Sequence, residues 1–327
     1  MNTSGSTELI RRAVLLDRGF SEVEILRMRR SGRWLRLAQG VYVEQSDRTR
    51  PDAYRLRVEA VASQAAAATV SHQSAAVLHG VPLFRAPMQR VHLVRPARGG
   101  SRTGPDRQLH TALLPDEDVV ELNGLRVTSV ARTLFDLGRT LPFETAVAAT
   151  DFALHHSLAR PSCLRAQLDR VRTGPGVGRA RRAFEFADGR SESIGESRTR
   201  ALFRTFGLPS PEPQLRVFGP EGNFLGRADL GLEQYAVLCE FDGLAKYDEL
   251  LAPGETARMA IAKEKRREDR FREQGWIVVR VTDADLASDE RQRETCRRLG
   301  RALTLGQRTL MRGQLTGSWR SLPRIGL

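Results

Sequence analysis

The sequence predicts an α+β multidomain chain, and three observations carry that expectation. At 327 residues it has room for two or three domains of roughly 100–200 residues each. Strand-like runs collect in two separate stretches, 90–129 and 213–282, each bordered by segments of helical periodicity. Acidic residues concentrate in the later stretch: residues 192–285 carry 14 basic and 17 acidic side chains, in a chain whose Lys+Arg exceed Asp+Glu by 52 − 39 = 13. A basic chain that gathers its acids in one segment has a use for them there.

Composition removes several classes. With 40% hydrophobic and 28% charged residues, wholesale disorder is excluded. No apolar run approaches the ~20 residues that span a bilayer, and MNTSGSTELIRR lacks the apolar core of a secretory leader. Cys163, Cys239 and Cys296 lie too far apart for a disulfide framework or a CxxC zinc clip. The expected setting is a reducing cytoplasm, without a membrane partner. A sequence pI near 10.8 points to a polyanionic partner, usually nucleic acid, and the N-terminal head makes double-stranded DNA the expectation before RNA. The bland alternative is a coding bias, since arginine far outnumbers lysine.

The N-terminal 50 residues carry ten basic and six acidic side chains. Residues 6–17 place Leu9, Ile10, Ala13, Val14 and Leu16 at near-helical spacing, and Arg18-Gly19-Phe20 turns the chain. Ser21 and Glu24 make the S-x-x-E pattern of a capping box, opening a second helix that stops at Ser31-Gly32. WLRLAQGVYVE alternates about Gly40 as a hairpin. Two short helices and a two-stranded wing predict a winged helix-turn-helix over residues 1–50. Its second helix would enter the major groove with Arg27, Arg29 and Arg30, while Arg33 and Arg36 lead into the wing.

Arg50-Pro51 opens an α+β middle region, residues 51–190. It reads as an alanine-rich helix (52–68), a short helix after Ser71, strands at 90–96, 108–114 and 118–129 with an Asn-Gly turn, and four helices between 129 and 187. The Gly/Pro/Arg stretch 95–107 reads as a connector. His72 and His79 share one face of the short helix. Packing or surface roles are the ordinary outcome for such a pair, a metal the rare one.

Residues 191–304 alternate helix, three strands, long helix, strand and helix, an α/β domain with a mixed central sheet. Residues 305–327 form a basic tail, with Arg308, Arg312, Arg320 and Arg324 and no acid, expected to be mobile and dispensable for folding.

The chemistry sits in FLGRADLGLEQYAVLCEFDG. With a two-residue loop at Glu233-Gln234, alternation puts Asp229, Glu240 and Asp242 on one face, and Asp229 opposite Leu238; a three-residue loop would break that parity. Carboxylates on an apolar central strand cost free energy unless a cation compensates them, and Mg²⁺ takes hard oxygen ligands of this kind. Glu196 approaches from the preceding helix. On the long helix Phe271 marks the inward face, which Arg267, Glu264 and Lys263 share. Singly, each acid reads as a turn cap or ion-pair partner; together they read as a metal site.

These residues resemble the PD-(D/E)xK nuclease superfamily, in the branch similar to very-short-patch-repair endonucleases. The match covers about 95 residues: Glu196, Arg227-Ala228-Asp229, Glu240-Phe241-Asp242-Gly243, then Glu264, Arg267, Phe271 and GWIVVRVT. The resemblance implies a restriction-endonuclease-like fold and Mg²⁺- or Mn²⁺-dependent hydrolysis of a phosphodiester, with Asp229 and Glu240 as metal ligands and Glu196 and Asp242 assisting. The lysine common in that motif is Asp242 here, which leaves Lys246 or Lys263 as substitutes. No histidine lies beyond His156, so a histidine base is absent from this segment.

The head, GFSEVEILRMRRSGRWLRLAQGVYV, resembles the winged helix of AbiE-type antitoxins, and SHQSAAVLHGVP with LRVTSVARTLFDLG is similar to the rest of such proteins. Together the two resemblances suggest an actinobacterial-type fusion of antitoxin and nuclease, acting in phage defence or DNA repair. The alternative is a non-catalytic antitoxin or transcriptional regulator with a degenerate nuclease-like domain and a cognate toxin as partner.

Overall fold

A computed structural model describes residues 9–45, 50–65, 67–96, 100–243 and 257–327. The protein is a mixed α+β chain with eleven helices and three sheets among the described residues. It divides into two compact units, Met1–Leu137 and Gly138–Leu327. The division falls inside a helix rather than at residues 50 and 190, and the packing of each unit explains why.

Unit 1 begins with β1 (Ile10–Arg11), α1 (Arg12–Asp17) and α2 (Glu22–Arg30). The predicted first helix is thus shorter and follows a strand. Ser21 and Glu24 close a reciprocal capping box: Glu24 N donates to Ser21 Oγ at 3.3 Å, and Ser21 N to Glu24 Oε2 at 2.8 Å. Strands β2 (Trp34–Ala38) and β3 (Val41–Glu44) form the hairpin about Gly40, and β1 adds a third strand in the order β1-β3-β2. Leu15, Ile25, Trp34 and Tyr42 make a small core under the two helices. The other face of the hairpin, Leu37, Val41 and Val43, shares a core with Tyr54, Val58 and Val61 of α3 (Arg50–Ala62). One continuous core therefore crosses the boundary expected at residue 50.

The second sheet of unit 1 has six strands: β4 (Thr69–Val70), β5 (Val91–Arg95), β6 (Arg102–Thr103), β7 (Arg107–Thr111), β8 (Val119–Leu122) and β9 (Leu125–Thr128), ordered β6-β7-β5-β4-β9-β8. Asn123 and Gly124 turn β8 into β9 with φ of 51° and 74°, the paired left-handed geometry that Asn-Gly favours. The connector is not featureless, because β6 pairs with β7 inside it. α4 (His72–Leu78) lies between β4 and β5 in sequence, and α5 (Val130–Thr140) crosses the division between the units.

Unit 2 opens with α6 (Phe143–His155), α7 (Pro161–Arg170), α8 (Val177–Phe186) and α9 (Ile194–Thr205). A five-stranded sheet follows: β10 (Glu212–Phe218), β11 (Phe224–Leu232), β12 (Val237–Asp242), β13 (Ile277–Thr282) and β14 (Ser318–Arg320), with helices α10 (Ala257–Glu273) and α11 (Asp289–Met311). Its order is β13-β12-β11-β10-β14, with β12–β13 parallel and the other pairs antiparallel. Ion pairs of two buried arginines tie the helices before residue 190 to the sheet domain. Arg198 reaches Glu144 at 2.5 Å and Asp283 at 3.0 Å, and Arg200 reaches Asp151 at 2.8 Å. Removing one partner of such a pair strands a charge in the interior, so α6 and α9 belong to one body.

The tail is docked, contrary to expectation. α11 continues to Met311, β14 pairs with β10 through Val217↔Trp319, and Trp319 packs edge-on against Trp276 at 5.6 Å. Beyond it, Ile325 accepts from Gly189 N at 2.6 Å, and Arg190 donates to the Leu322 carbonyl at 2.7 Å. Glycines and arginines suggested mobility, but Trp319 supplies the apolar anchor that outweighs them.

Candidate functional site

Of the four predicted acids, Glu196 and Glu240 each feel the charge of Asp229, and the turn between the two strands is not the two-residue loop expected. Glu233–Tyr235 forms a 3-10 turn closed by Ala236 at φ 50°, a four-residue connection, so Leu232 pairs with Val237. A shift by an even number of residues preserves parity. By register Asp229 now stands across from Glu240, not Leu238. The ladder ends at Leu230↔Cys239, and beyond it Asp229 Oδ2 accepts from Phe241 N at 2.9 Å, where a backbone carbonyl would have bonded. Alternation alone does not fix the face, because β11 turns over here. Ala228 packs with Phe271 and Trp276 in one core, Leu230 with Phe203 and Leu299 in the other. Asp229 occupies the crossover.

Gln214 stands beside it on β10, between the pairs Pro213↔Leu230 and Leu215↔Ala228. Its φ of 58° is uncommon for a residue with a side chain, and its Nε2 donates to Glu196 Oε2 at 2.7 Å. Glu196 comes from the first turn of α9. Ser193 caps that helix, and Glu196 further accepts from Ser193 Oγ at 2.8 Å and Glu192 N at 3.0 Å. Gly195 lets this turn rest on the sheet: a Cβ there would lie 1.9 Å from the Phe241 ring.

On the other strand Glu240 is 5% exposed, and its Oε2 accepts from Arg267 at 3.0 Å. Gly226 makes that reach available, since a Cβ there would press on Phe271 and Arg267 of α10 at 2.8 and 3.0 Å. The second oxygen, Oε1, is buried without a hydrogen-bond partner among the described residues. Burial, then the charge of Asp229, pushes the Glu240 carboxyl up to about 8 and that of Glu196 up to about 7.

Asp242 joins an ion-pair network beside Glu240. It is 3.5 Å from Arg280, the β13 residue that pairs with Glu240, and Arg280 also binds Glu264 at 2.6 Å and Glu268 at 2.7 Å. Glu264, expected on the inward face of this helix, is thus part of the Arg280 network. Lys263 is exposed on α10, and Lys246 lies outside the described residues. No three of the four acids close to 4.8 Å of one another; among the described residues the set that does is His72, His92 and His110. The pair picked out by helical spacing does not form. α4 ends at Leu78, and His79 Nε2 faces the Thr128 carbonyl at 2.7 Å.

In the head, Arg27, Arg30, Arg33 and Arg36 are exposed, while Arg29 lies half-buried with its guanidinium 6.0 Å from the Tyr42 ring. Arg36 Nε donates to the Ala38 carbonyl at 3.2 Å. Gln214 and Arg280 escaped the sequence reading, because a lone polar residue on a strand carries no pattern.

No family model matches the chain. Two uncharacterized proteins of Mycobacterium tuberculosis, MT2308 of strain CDC 1551 / Oshkosh and Rv2248 of strain ATCC 25618 / H37Rv, are each 28% identical to it over 165 residues. The matched region is 50% of this chain and 58% of theirs, so the chain spans little more than half the length of these curated relatives. A crystal structure of the RV2827C protein from Mycobacterium tuberculosis aligns with a TM-score of 0.38 at 15% identity, over 54% of this chain and 70% of that one. Among the described residues no helix is long and apolar enough to cross a membrane.

Proposed function

We propose that unit 2 is a divalent-metal-dependent phosphodiesterase, an endonuclease domain, in a protein whose N-terminal head binds double-stranded DNA. The observation that carries this reading is a half-buried Asp229 set between the buried Glu196 and Glu240, repelling each, with Glu240 Oε1 left unpartnered among the described residues. An interior that only needed to be stable would have no reason to bring these charges together. The donor set fits Mg²⁺ or Mn²⁺: hard oxygens, a half-buried Asp229 giving access, and a carboxylate oxygen with no other bond. Such a cation, when bound, supplies a polarised water and positive charge beside the phosphate. Asp229 and Glu240 are the ligands. Glu196, oriented by Ser193 and Gln214, holds or accepts a proton near neutral pH. Arg267 contributes the fixed positive charge that the motif lysine would otherwise supply, and Lys246 and Lys263 are secondary candidates. Arg27, Arg30, Arg33 and Arg36 of the head are the phosphate contacts.

A second reading, a regulator of the antitoxin kind with a retired nuclease domain, is favoured by Asp242. It stands at the lysine position and is drawn into the Arg280 ion-pair network. Incubating the chain with supercoiled plasmid in Mg²⁺, Mn²⁺ or EDTA separates the two. The enzyme reading expects nicking that EDTA stops and that Asp229→Asn and Glu240→Gln abolish. DNA binding without cleavage under every condition would leave the regulator.

A further inference from the structure

We propose that His72, His92 and His110 of unit 1 form a Zn²⁺ site with one coordination position open to solvent or an exogenous ligand. Their ligand nitrogens all lie within 4.8 Å of one another. His92 Nδ1 and His110 Nε2 are 3.0 Å apart, close to the ~3.3 Å that separates two imidazole nitrogens on one tetrahedral zinc with Zn–N of ~2.0–2.1 Å. Three parts of the chain supply the rings, and backbone geometry holds each in place. β5 and β7 are parallel with Val94↔His110 in register, so His92 and His110 share a face two residues apart. The start of α4 is fastened to the same strand: Ser71 N donates to the His92 carbonyl at 3.0 Å, and His92 N to Ser74 Oγ at 2.8 Å. That places His72 over the sheet with φ of 50°, a conformation that costs free energy for a residue with a side chain and that concentrates at ligand sites.

The donor chemistry selects the metal. Three imidazoles suit Zn²⁺ and its later-transition-metal neighbours, not Mg²⁺ or Ca²⁺. Three protein ligands leave the fourth tetrahedral position open, the arrangement of sites that bind an exchangeable ligand. His72 and His110 stack with centroids 3.8 Å apart and planes 14° apart, so their lone pairs run side by side. Coordination requires one ring to turn about its χ2. His110 is half-buried where His72 is 6% exposed, so turning His110 displaces less of the core.

The test uses the untagged full chain, stripped with chelator and dialysed. Titration with ZnCl₂ should show one site per chain that excess Mg²⁺ does not displace. Co²⁺ in place of Zn²⁺ should give the intense visible d–d bands of a tetrahedral nitrogen-ligated ion, a readout on wild type that needs no variant to fold. His92→Asn and His110→Gln, checked for folding by circular dichroism, should each weaken Zn²⁺ more than the ~10–100-fold lost with an outer-sphere partner. Asp229→Asn should leave zinc affinity unchanged. No saturable zinc binding, octahedral Co²⁺ bands, folded histidine variants that bind like wild type, or zinc lost with Asp229 would each overturn the proposal.

Discussion

The histidine group of unit 1 and the carboxylate group of unit 2 share a plan: one residue from the start of a helix and two from strands of a sheet. Their chemistry makes them opposites. Imidazoles can give up their charge, stack as His72 and His110 do at 3.8 Å, and hydrogen-bond ring to ring, so crowding them need not set charge against charge. Carboxylates crowded in a buried place repel, and the repulsion is relieved by a proton, by Arg267, or by a metal. The first group can rest without a ligand. The second is under electrostatic load without one, so its state should be readable in the stability of the domain.

The largest expected effect breaks the comparison outright. Asp229→Asn or Glu240→Gln should lower plasmid cleavage by about 10²–10³-fold or more, the scale of removing one charge-stabilising group, while the metal-free protein melts at the wild-type temperature or above. Cleavage that persists, or a lower melting temperature in EDTA, would make the carboxylates structural.

Next comes pH. The Glu196 and Glu240 carboxyls are raised above 4.5, to about 7 and about 8, so the folded state holds more protons than the unfolded one. Their contribution is fully present below pH 4.5 and is lost as pH rises through 7 to 8. Urea midpoints in EDTA should therefore fall from pH 5 to pH 8, and added Mg²⁺ should flatten the decline by binding the ionised form. Asp151, raised to about 6 by burial that outweighs Arg200, adds a drop of the same sign that Mg²⁺ leaves alone. A rise in midpoint over this window, or a decline indifferent to Mg²⁺, would contradict the load.

Arg267→Ala should cost about 1–3 kcal/mol at pH 8, where Glu240 loses a charged hydrogen-bond partner and must take up a proton, and less at pH 6, where it already holds one. Equal costs at both values would place the role of Arg267 in packing. The smallest effect lies in the head. Replacing Arg27 or Arg30 with Ala should reduce the slope of log affinity for DNA against log salt by about one unit each. If Arg27, Arg29 and Arg30 can all be exchanged for Ala without changing that slope, α2 does not face DNA.

Local pattern was legible and distant convergence was not. The capping box, the Asn-Gly hairpin and the strands of unit 2 follow from neighbours in sequence, and the structure has them within a few residues of expectation. Alternation through a short turn singled out Asp229 and Glu240, and an error of two residues in that turn keeps parity, but β11 turns over at Asp229, so the pattern named the residues without fixing the face they share. Asp242 has the same parity, yet a cation on the adjacent parallel strand, Arg280, claims it. His92 and His110 are 18 residues apart on strands separated by another strand in sequence, so no periodicity relates them to each other or to His72. The helical spacing that paired His72 with His79 failed because α4 stops after two turns.

Strand β14 has a consequence for the behaviour of the chain in a crowded solution. It covers three of the seven residues of β10, whose amide and carbonyl groups would otherwise form the open margin of the sheet. An uncovered margin is a template for any passing strand, including the same strand of another copy. Cutting the chain after Met311 would thus turn a folding question into an association question. The shortened protein should form concentration-dependent assemblies through β10 before its interior fails.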